Sequence, residues 1–88
     1  MFVDEKRLGE VQTETRNQRI ARILRTTNAR QLRRNAFDNR GGYCVIGLLE
    51  IEHGFSFDRA EQIKLVVMND DDQLTFAEIA DRVEAGAI

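Results

Sequence analysis

Residues 69–79 read NDDDQLTFAEI, a stretch that begins like half of a calcium loop and ends like the start of a helix, so its reading decides the fold. In an EF-hand loop of about twelve residues closing on Glu78, Val67 would stand where a chelating Asp is needed and Asp72 where a turn-permitting Gly is needed. Asn69, Asp71 and Glu78 are then left to hold at most a weakly bound hydrated divalent ion. Thr75 and Glu78 instead have the spacing of a capping box, in which each side chain satisfies a backbone N–H of the other residue. The acids ahead of them face a helix N-terminus, where negative charge gains a few tenths to about 1 kcal/mol each at low salt. The pattern predicts a helix from Thr75 that buries Phe76, Ile79, Ala80 and Val83 and stops at Gly86, with no metal site and no cofactor.

Working outward, residues 51–70 (IEHGFSFDRAEQIKLVVMND) carry a stop at Gly54, a cap at Ser56 or Asp58, and Glu61 at capping-box spacing from Asp58. Ile63, Val66 and Val67 are its expected inner stripe. The preceding YCVIGLLEI, residues 43–51, is the most apolar run, and over so short a length a buried strand and a buried helix look alike. Tyr43 to Ile46 lean toward strand, Leu48 to Glu50 toward helix. Asp38-Asn39 and Gly41-Gly42 give the strongest turn signal and predict a short hairpin or extended turn. Upstream, a helix capped by Thr13 or Thr15 sets Ile20, Ile23 and Leu24 on one side and Arg19, Arg22 and Arg25 on the other; Thr26-Thr27-Asn28 are poor helix formers that can end it. The fold expected is mainly α, with three or four helices and a short β-hairpin near residues 31–46. Residues 1–12 lack a period and read as a flexible or loosely docked arm before a single small domain spanning 13–88.

An 88-residue chain hides only about 60–65% of its unfolded surface, so the core is small and dimerisation would cover apolar remainder economically. With 42% hydrophobic and 32% charged residues the composition is globular. Cys44 stands alone and cannot form an internal disulfide, and no apolar run approaches the roughly 20 residues of a membrane span. The N-terminal MFVDEKRLGE lacks the apolar core of a secretory signal, which places the expected site of action in a reducing cytoplasm away from membranes.

The net charge of −2 hides a segregation: residues 1–42 hold ten Lys/Arg against five Asp/Glu, and residues 43–88 hold three against ten. Either the halves attract one another, within the fold or across a dimer, or each offers a surface to a different partner. Arg16, Arg19, Arg22, Arg25, Arg30, Arg33 and Arg34 are the candidate partner-binding residues, and phosphate-backbone contact is one use of such a face. The aromatic interleaving and helix-turn-helix or finger patterns of nucleic-acid binders are missing. His53 before Gly54 reads as a surface cap, Cys44 among apolar neighbours as a buried thiol, and Gly41-Gly42 as a turn, since no Lys-Ser/Thr follows to make a phosphate loop. Glu50 and Glu52 are two apart, a spacing that argues for no acid–base pair.

GGYCVIGLLEI and VVMNDDDQLTFAEIADRVE resemble a group of small uncharacterised proteins of bacteriophages and their hosts, which combine a Gly/Asp-rich turn, a Tyr/Phe-Cys-Cys-Leu-Gly-Val-Leu run, a Leu-Asn-Asp and a Ser/Thr-Phe before a Glu-Ile-Ala-Asp helix. The matching residues are Gly42, Tyr43, Cys44, Gly47, Leu48, Asn69, Asp70, Thr75, Phe76, Glu78, Ile79, Ala80 and Asp81; Val45 departs from the second Cys. The resemblance implies a phage or mobile-element origin and a mainly helical fold, and carries no assigned activity. The expectation is a non-enzymatic accessory protein that binds a host or phage macromolecule, a protein first and a nucleic acid second.

Overall fold

The structure is a computed structural model that describes residues 14–88; the arm expected at 1–12 lies outside the described residues. Helix α1 (Arg16–Thr26) starts at Thr15, whose hydroxyl accepts from the Gln18 amide while the Gln18 side chain accepts from the Thr15 amide. It buries Ile20, Ala21, Ile23 and Leu24 and ends before Thr27. Strands β1 (Arg30–Gln31) and β2 (Gly42–Tyr43) follow, then a wide π-helical turn over Gly47–Glu52 entered through Val45 and Ile46. Helix α2 (Arg59–Val66) is capped by Asp58 and Glu61 and runs without a break into a second π-helical segment, Val67–Asp71. Helix α3 (Phe76–Glu84) carries the Thr75–Glu78 capping box and buries Phe76, Ile79, Ala80 and Val83. The fold is mainly α, as the sequence predicts.

Helices α1 and α3 form the main packing interface, and Val45, Leu48, Leu49, Phe57, Leu65 and Met68 close the core around them. The segment 43–51 uses both of its tendencies in succession. Tyr43 completes a strand, and the helical turn begins two residues later. Gly47 permits this, because a Cβ there would stand 1.7 Å from the Ala36 carbonyl oxygen, which also accepts from the Cys44 amide at 3.2 Å.

Two expectations need correction. The strand pair is parallel, Arg30 opposite Gly42 and Gln31 opposite Tyr43, whereas a hairpin would be antiparallel. The hairpin shrinks to an antiparallel bridge between Phe37 and Tyr43, closed by Asp38, whose Oδ1 accepts from the Arg40 and Gly42 amides at 3.0 and 2.8 Å. The turn signal was genuine, but the chain before it loops back far enough to enter the pair from the same direction. The inner stripe of α2 is also displaced: Ile63, Val66 and Val67 are 53%, 38% and 37% exposed, while Leu65, Met68 and Asn69 are buried. Both triplets have i, i+3, i+4 spacing and define rival faces. The face with fewer aliphatic groups turns inward because Asn69 satisfies buried backbone groups that a third aliphatic side chain would leave bare.

Candidate partner-binding surface

The acidic stretch 69–75 is occupied by the protein itself. Asn69 is 1% exposed; its Oδ1 accepts from Gln31 Nε2 at 2.8 Å and the Val45 amide at 3.1 Å, and its Nδ2 donates to the Leu32 carbonyl at 2.8 Å and Asp70 Oδ1 at 2.7 Å. Both carboxamide donors and the acceptor oxygen are therefore in use. Gln31 also donates to the Leu74 carbonyl and accepts from the Phe76 amide, tying β1 to the start of α3. Arg33 spreads its guanidinium over the carbonyls of Asn69, Leu74 and Gln73. Asp70 Oδ1 accepts from the Arg34 amide, and Asp71 pairs with the Arg34 side chain at 3.5 Å. Sequence reading missed Asn69 and Gln31 as structural residues. The available signal was an amide at the position where Leu65 and Met68 require a buried neighbour.

The seven candidate arginines all have partners within the described residues. Arg16 forks onto Glu61 and lies 5.3 Å from the Phe57 ring, and Arg19 lies 5.0 Å over Phe55, whose ring stacks with Phe57. Arg22 grips Glu14 through two bonds, at 3.0 and 3.1 Å. Arg25 reaches Asp81 at 2.7 Å and Glu84 at 2.5 Å, and Arg30 reaches Asp38 at 2.5 Å. Arg33 and Arg34 hold the 69–74 stretch. Four of these ion pairs join the basic half to the acidic half, so the segregated charges attract within the fold. Hydrogen bonding from Arg16 pulls the Glu61 carboxyl below its ordinary range, Arg22 does the same to Glu14, and the Gly42 amide, followed by Arg30, does so to Asp38.

What the arginine face does not offer, α2 does. Ile63, Val66 and Val67 form an exposed apolar strip, and beside it an open groove of about 390 Å³ is lined by Ile63, Lys64, Val67, Met68, Arg82 and Ala87. Lys64 and Arg82 have no carboxylate within ion-pair distance among the described residues. Glu61, one turn before Lys64, is held by Arg16.

Cys44 is buried, with its sulfur accepting from the Gly47 amide at 3.4 Å. His53 is exposed at the end of the Gly47–Glu52 turn, donating its backbone amide to the Leu48 carbonyl. Glu50 accepts from Gln62 and Glu52 from the Tyr43 hydroxyl, so the two carboxylates serve separate structural bonds. No helix among the described residues is long and apolar enough to cross a membrane. Comparisons with protein-family models, curated proteins and solved structures find no match to this chain.

Proposed function

We propose that the chain is a non-enzymatic accessory protein, of the phage or mobile-element kind that its sequence resembles, and that it acts by binding another protein. The observation that carries this reading is the exposed strip Ile63, Val66 and Val67, three large aliphatic groups adjacent on one helix face of a small domain. Clustered apolar exposure of this kind marks interaction surfaces, whereas single exposed aliphatics do not. Nucleic-acid binding is the weaker alternative. Arg22, Arg25, Arg30 and Arg34 would have to leave carboxylates already within 2.5–3.5 Å before they could neutralise phosphates.

The test pairs two assays on the full chain. Affinity capture from bacterial lysate is expected to retain a defined protein, with retention lost in Val66→Asp. Binding to duplex DNA and to RNA at about 150 mM salt is expected to be negligible. Sub-micromolar duplex binding that falls steeply with salt, and is abolished by changing Arg19, Arg22 and Arg25 to Glu, would reverse the order of the two readings.

A further inference from the structure

The groove between α2 and the end of α3 has an uncommon make-up for this chain. Its floor is apolar, built from Ile63, Val67, Met68 and Ala87, and its edges carry Lys64 and Arg82. These are two of only three basic residues in the half of the chain that holds ten acids. Five of the eight described arginines of the opposite half pair with carboxylates, while Lys64 and Arg82 have no carboxylate within 4.0 Å among the described residues. We infer that this groove takes an acidic amphipathic helix of a protein partner, its apolar stripe on Ile63, Val67 and Ala87 and its carboxylates on Lys64 and Arg82. The inference rests on the protein-binding reading and specifies the chemistry of the partner.

Three physical arguments select that occupant. An apolar helix face laid into an apolar groove is a recurrent mode of peptide recognition, with anchors at i, i+3 or i+4, and i+7. Lys64 and Arg82 flank the floor, so complementary charge on the incoming segment fixes its register and discriminates against basic helices. A symmetric pairing of two copies through this groove is disfavoured, because it gathers the Lys64 and Arg82 of both copies into one interface. Nucleic acid is disfavoured as well, since its phosphates would have to sit over the aliphatic strip without any hydrogen-bond donor there.

The test titrates the isotope-labelled full chain with a synthetic amphipathic peptide of about sixteen residues, some four helical turns, carrying a leucine stripe flanked by glutamates. A matched peptide has lysine in place of each glutamate. The acidic peptide is expected to shift the amide resonances of Lys64–Met68 and Arg82–Ala87, and the basic peptide to bind about tenfold more weakly. In the chain bearing Lys64→Glu with Arg82→Glu, the preference is expected to invert toward the basic peptide, an exchange that a loss of folding cannot produce. Ile63→Ser, at an exposed position, is expected to weaken both peptides while leaving the rest of the spectrum in place. Equal affinity for the two peptides, or shifts confined to other surfaces, would overturn the assignment. So would no binding of either peptide, tighter binding to phosphatidylglycerol vesicles, or self-association that occupies the same amides. Lysate capture that ignores the double charge reversal would remove the groove while leaving the protein-binding reading intact. Salt-sensitive duplex DNA that displaces the peptide would remove both.

Discussion

Replacing Asn69 by leucine tests the central claim about the acidic stretch, because the two side chains share the same branched four-atom skeleton while leucine can neither donate nor accept a hydrogen bond. In the leucine variant the Val45 amide and the Leu32 carbonyl lose their partner, while the Gln31 side chain keeps its bond to the Leu74 carbonyl. Val45 is fully buried, so its amide bears the full desolvation cost; Leu32 is only half-buried and bears less. At about 1–3 kcal/mol for each buried group left unsatisfied, the expected loss is about 2–4 kcal/mol. For a domain of this size that corresponds to about 8–30 °C in Tm, and it is a large share of the ~5–15 kcal/mol that typical domains possess. Chemical denaturation of parent and variant, monitored by far-ultraviolet circular dichroism, measures it directly. Asn69→Asp supplies a control with its own signature. Its new carboxylate would face the Leu32 carbonyl and the Asp70 carboxylate, where burial and like charge favour the protonated form. The folded state then holds a proton more tightly than the unfolded state, so the deficit relative to the parent grows as pH rises above the ordinary Asp range. An Asn69→Leu domain within 1 kcal/mol of the parent, or an Asn69→Asp deficit independent of pH, would refute the hub.

Gly47→Ala drives a methyl group into the Ala36 carbonyl and is expected to cost about 3 kcal/mol or more, read as a lowered denaturation midpoint; a neutral result would contradict the close approach. Gln73 holds a left-handed backbone, φ 56°, just past the Val67–Asp71 segment, the place that Gly54 takes after the Gly47–Glu52 turn with φ 74°. Gln73→Gly is therefore expected to raise stability by about 0.5–1 kcal/mol, and a loss would show that the Gln73 side chain is needed. Asp38 has a folded-state carboxyl held below its ordinary range, so its contribution is complete above the unfolded value near about pH 4 and is lost as pH falls through the folded value. A carboxyl-resonance titration giving Asp38 a midpoint at or above an ordinary aspartate would contradict that turn.

Among the described residues, the sequence made the starts of α2 and α3 legible, because a capping box is a local device: Asp58 with Glu61 and Thr75 with Glu78 each sit three residues apart, whereas the cap of α1 stayed open between Thr13 and Thr15 until the structure showed Thr15 paired with Gln18. The core face of α3 was legible for the same reason, since Phe76, Ile79, Ala80 and Val83 have no rival stripe. Helix α2 was not, because it offers two apolar faces and the choice depends on Val45, Leu32 and Gln31, far away in sequence. The candidate surface misled for a related reason. An arginine count registers charge but not its partners, and Glu61, Asp81 and Glu84 are some sixty residues or fewer from the arginines they neutralise. Lys64 and Arg82 drew no attention in a strongly acidic half, where only geometry shows that they lack partners.

The clamp made by Arg33 differs in kind from the ion pairs around it. Its acceptors are the backbone carbonyls of Asn69, Gln73 and Leu74, which carry no titratable proton and are supplied whatever side chains stand at those positions. Acid that protonates Glu61, Glu14 or Asp38 opens the surface pairs one by one and leaves this attachment untouched. Substitution at Gln73 leaves its acceptor in place as well. The load falls on one side chain instead: a lysine at position 33 is a point charge without the planar fork that spans three carbonyls. The Arg33 clamp at the base of α3 is therefore indifferent to pH and to the side chain at Gln73, and intolerant of change in the residue that grips.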